Sequence, residues 1–330
     1  MHRPGNSLDA GRRALWRPGD GTVEIRTQPF ALAPGEVEVR TAFSAVSRGT
    51  ERLVLEGRVP PEERERMRAP RQEGEFPGPV KYGYCAVGEI VGGPPELAGR
   101  MAFCLHPHED RFGAAPAELA LLPEGLPAKR ATLAANMETA LNALWDSGAG
   151  PCDRVVVVGG GVVGLLAASL AARLPGAEVT VVDVADRRSV AEALGARFAF
   201  PADAPRDADV VIHASATAAG LATALAAAGD EAVVVEASWH GAGDVAVPLG
   251  GAFHSRRLKL VSSQVGMVAP SRRPRWPHAR RLDAALHLLR HARAYDLLLD
   301  REIAFDDAPA QLPGLLSSGA DALGIVIVYP

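Results

Sequence analysis

The residues best placed to do chemistry in this sequence are a glycine loop and one acid. Gly159-Gly160-Gly161-Val162-Val163-Gly164 is a G-x-G-x-x-G that follows the apolar run VVVV and opens a leucine- and alanine-rich segment. In such a strand-to-helix corner Gly159 allows the tight turn, Gly161 lets the backbone approach a pyrophosphate, and Gly164 lets helix and strand pack closely. Val162 and Val163 begin the helix, whose first amides form an anion site. Glycine turns also occur in empty corners, so the loop alone is a weak signal. Asp183, 19 residues beyond Gly164 at the end of the next apolar run, strengthens it, because a carboxylate there accepts hydrogen bonds from both hydroxyls of a ribose. Loop and acid together predict a dinucleotide cofactor.

The same acid predicts NAD over NADP, since a 2′-phosphate would sit against its charge. Arg187 and Arg188 follow within one helical turn, and Arg188 is the candidate to meet a phosphate, although first-turn arginines commonly face solvent or pair with an acid such as Glu192. Ser215 closes the run DVVIHAS at the carboxyl edge of the expected sheet and is a candidate cofactor contact. Trp239 and His240 end the next run at the same edge and would wall a pocket or simply pack there, whereas His213 lies inside its run and reads as core. His106, His108, Glu109 and Asp110 form a metal-like H-x-H-E-D; in a strand-to-loop transition such residues are usually solvated or bonded to backbone, and no metal is expected there. Ser271-Arg272-Arg273-Pro274-Arg275, continuing to Arg280 and Arg281, is a positive run preceded by Arg256 and Arg257. It reads as a solvated crossing loop or, with Arg64, Arg66 and Arg68, as a clamp for an anionic substrate.

These groups need a scaffold of ordinary globular composition. At about 150 residues per domain, 330 residues allow two domains. Lys+Arg 35 against Asp+Glu 39 gives −4, so no basic field invites nucleic acid. Three cysteines, Cys85, Cys104 and Cys152, without a C-x-x-C pair exclude a disulfide framework and fit a reducing cytoplasm. The first twelve residues, MHRPGNSLDAGR, read as a loose tail without a secretory core. The stretch from Val155 to Leu174 approaches membrane-span length, but three glycines interrupt it and Arg173 lies near its end, so no membrane partner is expected.

Two patterns divide the chain. Over residues 1–127, short alternating runs (Thr22–Thr27, Glu36–Ala45, Ala86–Val91, Met101–Leu105, Ala117–Leu121) are broken by Gly and Pro, which predicts a strongly bent β domain; Pro60–Pro79 reads as a short charged helix followed by a flap. From Ala128 helices and continuous apolar strands alternate, which predicts a doubly wound parallel α/β sheet over 128–265. Residues 266–330, with a helix near Arg281–Arg290 and the closing strand GIVIVY, are expected to return to the first domain.

This arrangement resembles the medium-chain dehydrogenase/reductase superfamily, the zinc alcohol dehydrogenases and their relatives, across nearly the whole chain. Arg48-Gly49-Thr50-Glu51 and the distal Gly57 overlay that family's early C-G-T-D block and following glycine. Gly83-Tyr84-Cys85-Ala86-Val87-Gly88 overlays its G-H-E-x-x-G block, and Thr139-Ala140-Leu141-Asn142-Ala143 overlays the helix before the glycine-loop strand. SAVSRGTE (44–51) and GYCAVG (83–88) look most like the bacteriochlorophyllide dehydrogenase branch. The resemblance implies a GroES-like bent β domain joined to a Rossmann sheet, a nicotinamide cofactor, a small-molecule substrate, and homodimers formed through a late strand of the nucleotide sheet.

The departures from the family pattern carry equal weight. Its zinc is held by the cysteine of the first block, the histidine of the second, and an acid or cysteine further on. Arg48, Tyr84 and Ala135 stand there in this chain, and the four-cysteine structural lobe is missing. A guanidinium has no lone pair for zinc, so a catalytic zinc is not expected. Hydride transfer then needs another electrophile and a proton route. Arg48 as electrophile or anion clamp, Tyr84 as proton donor or acceptor and Thr50 as relay would supply them. The competing expectation is that Arg48 pairs with Glu51 and merely plugs the former metal position. The function implied is interconversion of an alcohol and a carbonyl. The alternatives are an enoyl or quinone reductase, as among zinc-free relatives, or a dinucleotide-binding redox sensor without catalysis.

Overall fold

A computed structural model describes residues 11–330. The tail expected over the first twelve residues lies outside the described residues except at its end, where Arg12 already opens a strand. No described helix is long and apolar enough to cross a membrane. The run from Val155 to Leu174 is a strand, Arg154–Val158, a glycine corner and a helix, Val162–Ala171. The chain divides into two compact units, one of residues up to 122 with 302–321 and 326–330, the other of 123–301 and 322–325.

The first unit is built on antiparallel strands. Its larger sheet runs in the order Arg301–Ala304, Ile325–Val328, Val37–Val46, Ala86–Ile90, Met101–Cys104 and Ala120–Leu121, with Arg111–Ala114 also pairing on Val37–Val46. Alternate residues Val37, Val39, Ile90, Ala102 and Phe112 form its core. A register shift between Thr41 and Phe43 bends the long strand, as an inserted residue does. Among the strands that escape the hydrophobic pattern are Arg111–Ala114 and Arg12–Arg17. The latter belongs to a four-stranded sheet with Glu24–Gln28, Val80–Lys81 and Glu73–Gly74, and its arginines hide its alternation. The charged helix expected after Pro60 shrinks to one 3-10 turn, Pro61–Glu63. Arg68 instead folds the segment back by donating to the carbonyls of Gln72 and Gly74 and to Glu75.

The second unit is a six-stranded parallel sheet in the order Arg197–Ala199, Glu178–Val182, Arg154–Val158, Ala208–His213, Ala228–Glu236, Lys259–Ser262. Numbered within the unit this is 3-2-1-4-5-6, with the topological switch between Arg154–Val158 and Ala208–His213. The valine runs are buried because helices cover them, and small alanines on Ala218–Ala227 let that helix pack close. The single helix expected over Ala128–Ser147 is two, Ala128–Ala131 and Ala134–Ser147; at the break Thr132 Oγ1 donates to the Lys129 carbonyl at 2.6 Å. The return to the first unit comes at residue 302 rather than 266. Helix His278–Arg290 stays with the parallel sheet because the buried Arg281 donates to Glu138 at 3.0 Å, Asn142 at 2.8 Å and the Val265 carbonyl at 2.6 Å.

Buried charge ties the first unit together. Arg17 is fully buried, paired with Glu51, and donates to the Tyr82 carbonyl. Glu51 also meets His108 Nε2 at 3.0 Å and accepts the Ser47 amide at 2.9 Å. His108 Nδ1 lies 2.7 Å from Ser44 Oγ, which is 2.9 Å from the Tyr329 hydroxyl. Burial alone would push the Glu51 carboxyl up, but His108 and Arg17 outweigh it and hold it below its ordinary 4.5. A carboxyl depressed in the folded state stabilises fully above its ordinary value and loses that contribution as pH falls through the lowered one. Glu51→Gln should therefore cost about 3–5 kcal/mol at pH 7, the usual effect of breaking a buried ion pair. The gap from the parent, measured by urea unfolding, should narrow progressively below pH 4.5.

Candidate active site

In the first unit the candidate catalytic residues lie on helix Arg48–Leu55 and on the loop after Gly83. Gly83 has φ +131°, and a Cβ there would meet the His108 ring at 2.8 Å, so only glycine lets the chain pass and deliver Tyr84. The half-buried Tyr84 hydroxyl hydrogen-bonds the hydroxyls of Ser47 and Thr50. Burial raises the phenol well above its ordinary 10.0 despite those bonds, so at neutral pH Tyr84 keeps its proton. The structure thus brings Tyr84 and Thr50 together. Arg48 turns its Nη2 to the Ala320 carbonyl at 3.0 Å, and the acid expected to neutralise it, Glu51, is held by Arg17 and His108. Tested as zinc ligands, Arg48 and Tyr84 do not fit: a guanidinium and a protonated phenol offer no suitable donor pair.

The fold divides the H-x-H-E-D segment between separate networks, although His106 Nε2 stays 3.7 Å from Glu109 Oε2. His108 belongs to Glu51 and Ser44, while Glu109 faces the buried Lys81 at 3.0 Å and Arg12 at 3.2 Å. His106 stacks on Phe112 with ring centroids 3.8 Å apart, and Asp110 accepts the Arg13 amide at 2.8 Å. The positive run is also largely committed. Arg281 is internal, Arg272 lies over Trp145 and Arg280 over Trp276, and Arg273 donates to the Val268 carbonyl.

In the second unit the glycine loop sits at the topological switch. Gly159 has φ +113°, and a Cβ there would lie 2.6 Å from the Ser215 amide nitrogen. A Cβ on Gly164 would lie 1.9 Å from the Gly159 carbonyl oxygen, whereas one on Gly161 would meet nothing within 4 Å. The first intrahelical bond runs from Leu165 to Gly161, so the amides of Val162, Val163 and Gly164 precede the helical ladder. Asp183 accepts the Gly160 amide at 2.5 Å and the Ala185 amide at 2.8 Å, which fixes its carboxylate beside the loop. Arg188 lies over the Phe198 ring; the side chain against Gly160 is Arg187.

Ser215 reaches a network that residue types alone did not disclose. Its hydroxyl is 2.6 Å from His213 Nε2 and 3.0 Å from Thr217 Oγ1. His213, expected as plain core, is fully buried, but its Nδ1 lies 2.6 Å from Glu236 Oε2. Burial would raise the Glu236 carboxyl, yet its bond to His213 and the Ser238 amide hold it below the ordinary range. His240 Nε2 stands 3.4 Å from the same Glu236 oxygen. The available sequence signal was positional: His213 and Glu236 each end an apolar strand, and they are register partners.

Over residues 113–199, which include the glycine loop and Asp183, the chain matches the family model described as pyridine nucleotide-disulphide oxidoreductase. Among solved structures it is similar to L-idonate 5-dehydrogenase from Escherichia coli str. K-12 substr. MG1655, with TM-score 0.78 and 16% identity over 98% of this chain and 100% of that one. It is similar to 2R,3R-butanediol dehydrogenase from Bacillus subtilis, with TM-score 0.76 and 16% identity over 96% and 99%. A short chain alcohol dehydrogenase (rspB) from E. coli CFT073, complexed with NADH, gives TM-score 0.75 and 14% identity over 97% and 100%. The chain accordingly has the medium-chain dehydrogenase fold, a GroES-like β unit joined to a Rossmann sheet.

Proposed function

We propose that this chain is an NAD-linked oxidoreductase that interconverts an alcohol and a carbonyl on a small molecule without a catalytic zinc. The observation that carries this reading is the Tyr84 hydroxyl, held by Ser47 and Thr50 where the resembling enzymes keep a zinc-binding histidine. The open glycine loop with Asp183 fixed beside it supports the cofactor assignment, and the dehydrogenases of the same fold support the reaction class.

A nicotinamide bound there would accept or supply the hydride. The chain's own residues handle the proton. In reduction Tyr84 donates from its hydroxyl to the carbonyl oxygen, and Thr50 and Ser47 return a proton to the phenol. In oxidation the alcohol proton leaves by the same hydroxyls in reverse. Arg48, on the same turn of chain as Ser47, adds fixed positive charge favouring the developing alkoxide. Asp183 would accept hydrogen bonds from the ribose hydroxyls of such a cofactor and disfavour a 2′-phosphate.

The edge strand Lys259–Ser262 is largely exposed and offers the pairing surface for a homodimer. Cys85, Cys104 and Cys152, which form no disulfide, suit a reducing, cytoplasmic setting. An anionic substrate has its support in the exposed Arg275; it would make KM strongly salt-dependent with turnover little changed, and salt-independent kinetics would remove that part of the reading.

Tyr84→Phe should lower turnover by about 10²–10⁴-fold, the range for lost acid–base assistance, with NAD affinity unchanged. Near-normal turnover in both Tyr84→Phe and Arg48→Ala proteins that still bind NAD would refute the mechanism. Because the phenol titrates above its ordinary 10.0, carbonyl reduction should stay flat from neutral pH to 10 and alcohol oxidation should still be rising there. Asp183→Ala should shift the kcat/KM ratio toward NADP. Turnover of quinones or conjugated enals with NADPH, and none of simple carbonyls, would favour the reductase alternative; cofactor binding with no hydride exchange would favour a sensor.

A further inference from the structure

We propose that His213, Glu236 and His240 bind one divalent transition cation of the zinc class at the carboxyl edge of the nucleotide sheet. Strands Ala208–His213 and Ala228–Glu236 are parallel neighbours whose register sets His213 directly beside Glu236. Four residues on, His240 brings a second imidazole back to the same carboxylate. His213 Nδ1 is 2.6 Å and His240 Nε2 3.4 Å from Glu236 Oε2, and one ligand atom from each residue lies within 4.8 Å of the others. Among the described residues no other set of three His, Cys, Asp or Glu converges this closely.

Two imidazoles and one carboxylate are a donor set that zinc uses with a fourth position left open. The surroundings supply what such ligands need. The second nitrogen of His213 meets Ser215 Oγ at 2.6 Å, the outer contact that fixes a ligating ring and its tautomer. Ser215 is anchored in turn to Thr217 Oγ1, which accepts the Gly220 amide at 3.0 Å. The other Glu236 oxygen accepts the Ser238 amide at 2.8 Å, which turns Oε2 toward the two rings. His213 is fully buried, while His240 and Glu236 retain 19% and 16% side-chain exposure, so the cluster has a rigid floor and an entry side. Binding would replace the hydrogen bond between His213 Nδ1 and Glu236 Oε2, its proton passing to solvent, and the cation would be held by His213, Glu236 and His240.

The experiment uses the full chain, stripped with a chelator and titrated with Co²⁺ and Zn²⁺ without cofactor. One equivalent of Co²⁺ should give the intense visible absorption of a tetrahedral site, and Zn²⁺ should displace it. His240→Ala and Glu236→Gln should abolish the band, and Ser215→Ala should weaken Zn²⁺ binding by about 10–100-fold, as loss of an outer partner does. His287→Ala, at an exposed histidine elsewhere, should change nothing. His240 lies in a loop, so unchanged circular dichroism keeps its variant interpretable. Absence of a saturable one-to-one site, or binding that survives both His240→Ala and Glu236→Gln, would overturn the proposal. NAD affinity measured on the same proteins separates this result from the oxidoreductase reading, which requires no metal.

Discussion

The close approach of Gly164 to the Gly159 carbonyl governs the nucleotide unit. With only 1.9 Å available to a Cβ, the helix Val162–Ala171 can begin where it does only because no side chain intervenes. That position aims its first amides past Gly161 and leaves Gly159 to turn over the Ser215 amide at the switch between the first and fourth strands of the unit. The start of the helix beside the first strand, and with it the loop whose Gly160 amide Asp183 accepts, rests on this one packing distance.

The first unit is organised by charge rather than by apolar packing alone. A buried guanidinium or ammonium is tolerated only with partners, and Arg17 and Lys81 each find carboxylates. The Arg17–Glu51–His108 set also has a positional effect. Glu51 holds the Ser47 amide, His108 holds Ser44, and the glycine that slips past the His108 ring hands the chain on to Tyr84. The hydroxyls that meet the phenol therefore stand on a helix start fixed by an internal ion pair.

Much of this was legible in the residues. Valine runs separated by alanine-rich segments gave the parallel sheet, and the loop with its acid gave the nucleotide corner, because both signals are local and periodic. What escaped was set by tertiary pairing. Arg12–Arg17 is a strand whose charges are cancelled by Glu73, Glu109 and Glu51, far away in sequence. Pro60–Pro79 carries helix-forming charges but is folded back by Arg68. His108 and Glu109 belong to a metal-like run, yet at the bend where they lie they serve different networks, Glu51 with Ser44 and Lys81 with Arg12. His213 was hidden by its apolar strand, since its partner arrives 23 positions later.

His213 and Glu236 also bear on how the sheet selects its pairing. Valine-rich parallel strands are nearly degenerate: sliding one past the other by a residue or two exchanges valine for valine. A buried imidazole and a carboxylate at matching ends remove that degeneracy, because any slip strands a polar group opposite Ile212 or Val235 without its counterpart. The pair thus works as an alignment pin, making one register of the two strands the sole arrangement in which nothing polar is orphaned.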